Sequence, residues 1–538
     1  MRVRSGLRRR WVHWDNDQRI MHIARQVEAH APPAFGSPVV MFNASTRLTG
    51  LSLNAAFQLL TAWALRLQGV PVVQFVCQAG MSRCVLGTDR DDPSILPPCA
   101  DCKAQSRRLF THLEVNGFRY RRDDHLAEAL ANLDLEHLTA FEWQGRPLGA
   151  LVLPSLRWIL RRHHLADNEA TRKLYREYIL SVWHVQREFE DLLERFSPRC
   201  VVVFNGMFYP EAVVRRTAQQ RDIRVISHEV GLQPYSAFFT AGEATAYPIH
   251  VPEEFELTNE QNALLDDYLQ QRFQGNFSMA GIRFWPEMRG LSADFIAQAA
   301  RFRQIVPVFT NVIFDTSQGH ANTTFPHMFA WLDQALEIVR EHPDTLFVFR
   351  AHPDEGRQGK ESRESVREWA DKRRLSEMPN VRFVDAGEYF SSYELIERAK
   401  FVMVYNSTIG LEASLLGTAV LCGGRARFTQ LPTVYFPETA DEYRRLAEEF
   451  LSRPGGKIEA PVEFRRNARR FLYYQLFLAS LPFERYLEED GVWRGYVRLK
   501  PFDWEDLLPE RSATMRAILD GILHGGNFLL EKKTRQAV

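Results

Sequence analysis

FVMVYNSTIGLEASLLGTAVLCGG, Phe401 to Gly424, reads without a break as strand, polar loop, helix and second strand. FVMVY has the composition of a parallel strand buried on both faces, and LEASLLG is a run of helix formers stopped by glycine. Between them lie Asn406, Ser407, Thr408, Ile409 and Gly410. A loop of amide and hydroxyl side chains feeding a helix N-terminus exposes unpaired N–H groups and the positive end of the helix dipole, which suits a phosphate or carboxylate. Helix caps share this composition, so the loop alone does not decide between the two roles.

A second strand end strengthens the anion-site reading. Leu346 to Glu355, LFVFRAHPDE, is an apolar strand that delivers Arg350 and His352 at its carboxyl end before Pro353 breaks the chain. Open α/β sheets bind ligands at such ends, and a cation beside an imidazole suits an anionic ligand. Glu412, in the first turn of the helix after Gly410, is placed to accept from sugar hydroxyls or to complement the helix dipole. Asp315, after the strand in VFTNVIFDTS, either orients a ligand or caps the next helix.

VFTNVIFDTS (Val308 to Ser317), FRAHPDE, SSYELIERAKFVMVYNSTIGLEASLLGTAV and GGRARFT (Gly423 to Thr429), in this order, resemble the carboxyl-terminal domain of bacterial capsule and surface polysaccharide biosynthesis proteins, which are GT-B glycosyltransferase-like. The resemblance spans roughly Val306 to Tyr443; the amino-terminal half is similar only in layout. It implies two Rossmann-type doubly wound α/β domains. The second would bind a nucleotide-activated sugar through Arg350, His352, Asn406, Ser407, Thr408, Gly410 and Glu412. The first would present a saccharide or lipid-linked acceptor to a catalytic base. No catalytic cofactor is implied, and no Asp-x-Asp pair stands at a strand end to hold a catalytic Mg²⁺. Polyol-phosphate transferases of teichoic-acid type share the His-Pro strand end and hydroxyl loop, and a non-catalytic assembly protein of the same fold is the third alternative.

A chain of 538 residues exceeds one core, so several domains are expected. The reading is a basic extension at 1–35, an acceptor domain at 36–245 with a helical insertion near 104–196, a linker at 246–300, a nucleotide-sugar domain at 301–460, and a helical crossover and tail at 461–538. The 67 basic and 67 acidic residues cancel and are dispersed, which argues against nucleic acid as partner. MRVRSGLRRRW lacks the apolar core of a secretory signal, though its arginines permit peripheral contact with an anionic membrane. The best apolar run, Ala55 to Val76, is broken by Arg66, Gly69 and Pro71, so a cytoplasmic protein is expected, peripheral to the membrane at most.

In the amino-terminal half, PVVMF (Pro38 to Phe42) opens a βαβ unit, but the Gly-x-Gly-x-x-Gly signature of dinucleotide binding is absent. Further strands at Arg199–Phe204 and Ile223–Ser227 end in Asn205-Gly206 and in His228-Glu229-Val230-Gly231. Sugar transfer needs a group that takes the acceptor hydroxyl's proton, and GT-B enzymes supply it from this domain. Glu229 is the first candidate, His228 the second and Asp315 the third.

Four of six cysteines cluster as Cys77, Cys84, Cys99 and Cys102. A Cys-x2-Cys pair with two nearby thiols is the donor set of a closed structural zinc site, while inert packing and an iron–sulfur cluster are the alternatives.

Overall fold

A computed structural model describes residues 2–44, 50–274, 290–357, 359, 361–492 and 495–531. The polar turn at 45–49 and Trp493 of the tail lie outside the described residues.

The valine-rich runs of the first half pair as parallel strands β1 (Val39–Asn43), β2 (Val72–Cys77), β3 (Glu114–Phe118), β4 (Cys200–Phe204) and β5 (Arg224–Val230). An antiparallel strand, β6 (Ser236–Thr240), follows β5. In the second half β7 (Gln304–Phe309), β8 (Thr345–Arg350), β9 (Val381–Val384), β10 (Val402–Val404) and β11 (Val420–Cys422) form an all-parallel sheet in the order β9-β8-β7-β10-β11. The chain then returns. β12 (Leu481–Pro482) pairs antiparallel with β6, giving the first sheet the order β12-β6-β5-β4-β1-β2-β3. The molecule is thus α/β with two Rossmann-like halves, the central strands of each sheet buried on both faces, as their apolar continuity requires.

Three segments differ from the sequence expectation. The basic start is a helix, α1 (Arg2–His30), whose Ile20, Ile23, Ala24 and Val27 join the core around α2 (Leu53–Leu67). These four positions follow helical spacing, but the arginines before them mask the apolar stripe. The stretch read as a purely helical insertion contributes strand β3 after α3 (Cys99–Leu109), and only later runs helical through α4 (Leu148–Leu160) and α5 (Glu169–Phe196). β3 is short and polar because it is an edge strand and needs little apolar surface. The tail is ordered as well: Tyr496–Leu499 pairs with both Leu487–Glu489 and Leu51–Ser52, and Trp504 stacks on His30 at 4.3 Å between ring centroids.

The halves meet through buried contacts. Arg161, after α4, lies 4.4 Å over the ring of Trp158 and 4.7 Å over that of Phe314 from the second half. Ile249 N–H donates to Gln430 Oε1 at 2.9 Å. Among the described residues no helix is long and apolar enough to cross a membrane.

Candidate functional site

The carboxyl ends of β7, β8 and β10 open on a cleft of about 370 Å³, within the size range of small-molecule sites. Its second-half wall carries Asn311, Asp315, His352, Asn406, Ser407, Thr408, Arg425 and Arg427, and the segment Thr245 to Pro248 closes it from the other side. Two expected strand ends therefore do converge, together with Asp315.

The hydroxyl loop after β10 leads into the short helix Ile409–Leu415, while in the first half the turn after β4 leads into α6 (Tyr209–Gln219). Thr408 occupies the cap position yet makes no side-chain capping bond, so its hydroxyl is not spent on the helix. Asn406 is positioned from behind, its Oδ1 accepting from Asn311 Nδ2 at 2.5 Å and from Gln318 Nε2 at 3.4 Å. His352 Nδ1 accepts from Asp354 N–H at 3.2 Å, and burial holds its imidazole below the usual histidine range. Asp315 stands on the cleft wall, and its Oδ1 accepts from the N–H of Ser317, the residue at the cap position of the next helix, at 2.8 Å.

Three expected ligand contacts are not in the cleft. Arg350 is buried and donates through Nη1 to Phe390 O at 2.6 Å. Glu412 is buried against Arg272 (2.5 Å) and accepts from Tyr393 Oη at 2.6 Å, so its carboxylate is consumed by an ion pair inside the fold. Gly410 is a packing residue: a Cβ there would stand 2.9 Å from Val404 Cγ2 and 3.1 Å from Phe428. The strand ends at Arg350, so His352 stands in the turn beyond it and the two side chains do not share an environment, while the helix turns Glu412 away from the loop that precedes it.

Sequence reasoning undervalued two basic residues and missed a third. Arg425 and Arg427 line the cleft; Arg427 lies 4.1 Å over the Tyr247 ring, and its Nη1 is buried with no hydrogen-bond partner among the described residues. A buried guanidinium donor left open costs free energy unless something anionic meets it. His320 bridges the halves, with Nε2 2.9 Å from Thr245 Oγ1 and Nδ1 3.2 Å from Glu243 Oε2. Lone residues of this kind carry no signal in one sequence.

On the amino-terminal side, strand alternation separates the paired candidates. His228 is fully buried; it stacks on Phe239 at 5.2 Å between ring centroids, neither ring nitrogen has a partner among the described residues, and burial pushes it down to about 3. It belongs to the core, which corrects its assignment to the cleft. Glu229, on the opposite face, is half-buried: Oε2 accepts from Asn205 Nδ2 at 2.9 Å and Oε1 from Val230 N–H at 3.0 Å. Burial raises its carboxyl above the usual range, and the nearby Asp315 charge adds to the rise.

A second, smaller cavity of about 50 Å³ lies in the first half, lined among others by Asn54, Cys84, Phe208 and Glu211. Burial pushes Glu211, in α6, up to about 8. Asn54 also hydrogen-bonds Glu229, which feels the charge of Asp315 on the cleft wall as well.

Residues 278–433 match the family model described as capsule polysaccharide biosynthesis protein. Among solved structures, the β-Kdo 2,4-transferase of Thermosulfurimonas dismutans KpsC is 13% identical over 53% of this chain and 80% of its own, with a TM-score of 0.36. Its β-Kdo 2,7-transferase is 14% identical over 55% and 81%, with a TM-score of 0.31. Sucrose-phosphate synthase of Thermosynechococcus elongatus is 12% identical over 82% and 95%, with a TM-score of 0.28. No curated protein sequence is significantly similar to the chain. The hydroxyl-loop wall of the cleft thus lies within the stretch, residues 278–433, that is similar to the capsule polysaccharide biosynthesis protein family.

Proposed function

We propose that the protein is a glycosyltransferase of capsule or surface polysaccharide assembly, taking a sugar from a nucleotide-activated donor to a saccharide or lipid-linked saccharide acceptor. The observation that carries this reading is Arg427 Nη1, without a hydrogen-bond partner among the described residues, on the same cleft wall as the uncommitted hydroxyl of Thr408 and as Asp315, whose charge reaches Glu229. Donor phosphates sit against Ser407, Thr408 and Arg427, with His352 beside them. Glu229 takes the proton of the acceptor hydroxyl as that oxygen bonds to the anomeric carbon. The bond from the anomeric carbon to the phosphate oxygen breaks, and the nucleotide leaves with its added negative charge met by Arg427. The raised proton affinity of Glu229 favours a base, and Asn205 and Val230 N–H hold its carboxylate in one orientation.

The test is incubation with UDP-, GDP-, dTDP- and CMP-linked sugars and with polyol-phosphate donors, acceptor saccharide present, followed by mass analysis of the product. A mass increment of one sugar supports the reading. An increment of a phosphopolyol would assign the teichoic-acid type of transfer, and no turnover together with no nucleotide binding would leave an assembly role.

A further inference from the structure

The four clustered cysteines come together from three segments of chain. Cys77 ends β2, Cys84 lies in the loop after it, and Cys99 and Cys102 occupy the first turn of α3. All four line one cavity of about 20 Å³, room for a single water-sized body. The other two cysteines, Cys200 and Cys422, are buried in the strands of the two sheets.

Backbone amides approach two of these sulfurs, while burial raises the thiols of Cys77, Cys84 and Cys99 above the usual range, so that loss of their protons awaits a cation. Cys77-Gln78-Ala79-Gly80 and Cys84-Val85-Leu86-Gly87 repeat one pattern, cysteine followed three residues later by glycine. Gly80 N–H donates to Cys77 Sγ at 3.2 Å, and the Gly87 backbone hydrogen-bonds Cys84 Sγ. Neither glycine has room for a side chain: a Cβ would stand 2.1 Å from the Phe118 ring at position 80 and 2.7 Å from Cys84 Sγ at position 87. Cys99 and Cys102, three residues apart, share a face of α3 at its N-terminal end, where the helix dipole favours negative sulfur.

We propose that Cys77, Cys84, Cys99 and Cys102 bind one zinc ion as four thiolates in a closed tetrahedral site. Binding releases four thiol protons to solvent and leaves a site of charge 2−, offset by the Gly80 and Gly87 amides, the α3 N-terminus and Lys103 beside it. The ion would tie the end of β2, the loop through Gly87 and α3 into one unit. Cys84 also lines the cavity that holds Glu211, so the same ion braces the wall behind Glu229. The proposal is independent of the transferase reading.

The test uses the full chain purified without chelator and dialysed against metal-free buffer. Elemental analysis is expected to find about one zinc per chain. Protein made in cobalt-supplemented medium should show a thiolate-to-cobalt charge-transfer band. Cys84→Ser and Cys99→Ser should lose the metal, while Cys422→Ser keeps it; should the variants not fold, the wild-type metal content and cobalt spectrum decide. Iron with acid-labile sulfide overturns the zinc assignment in favour of a cluster. Folded, metal-free wild-type protein that takes up neither zinc nor cobalt overturns the site.

Discussion

Asn205 fixes the orientation of Glu229. Its Nδ2 donates to Glu229 Oε2 at 2.9 Å while its own Oδ1 accepts from Met207 N–H at 3.0 Å, so turning the amide over would break both bonds. Asn205 achieves this from the left-handed region, at φ 60°, on the turn that ends β4. A carboxylate held this way is prepared to receive a proton at one oxygen, which is what a general base requires.

Glu229→Gln should therefore lower turnover by about 10²–10⁴-fold with donor affinity nearly unchanged, read as kcat against the calorimetric Kd of the nucleotide. His228→Phe should leave turnover intact and keep or raise the melting temperature, since it removes two buried nitrogens that have no partner among the described residues.

The pH dependence has a defined sign. Glu229 acts deprotonated and its carboxyl is raised by burial, so kcat/KM should climb as pH passes through that raised value. Asn205→Asp places a like charge beside it and should move the rising limb to higher pH. A profile that does not move places the base elsewhere, with Asp315 the next candidate.

Glu211 gives a stability counterpart. Its folded-state carboxyl is raised from 4.5 to about 8, so the protonated form is favoured by folding; that stabilisation is complete below about 4.5 and is lost as pH rises through about 8. Glu211→Gln, which mimics the protonated acid, should melt like wild type at low pH and increasingly above it from pH 5 to 8. Parallel melting curves across that range would contradict the burial of an ionisable Glu211.

The sheets and the hydroxyl loop were legible because they rest on local pattern: apolar runs such as FVMVY and LFVFR have one use in an α/β fold, and Asn406 to Thr408 follow directly. What failed depends on direction and on partners distant in sequence. Glu412 looks like a ligand residue until Arg272, 140 positions away, is placed beside it. His228 and Glu229 are adjacent in sequence and opposite in space, and which of them faces the cleft depends on a register that polar residues on both faces do not reveal. Arg427 was seen, but its open donor is visible only with Tyr247 packed against it.

Glu412 should accordingly behave as a structural residue. Glu412→Gln removes the carboxylate charge that is paired with buried Arg272 and should cost about 3–5 kcal/mol of unfolding free energy, measured by denaturant titration. Nucleotide affinity of the folded fraction should be unchanged. Loss of affinity at unchanged stability would restore Glu412 to the donor site.

The central claim, that the cleft between the hydroxyl loop and Glu229 binds an activated-sugar nucleotide, is tested most directly by calorimetric titration of UDP, GDP, dTDP, CDP and CMP into wild type, Arg427→Ala and the double variant Ser407→Ala with Thr408→Ala. The account predicts that at least one nucleotide binds wild type and that each variant weakens it by about 1.5–3 kcal/mol, roughly tenfold to a hundredfold in Kd. Absence of binding to wild type by every nucleotide, or a Kd unmoved in both variants, would contradict it.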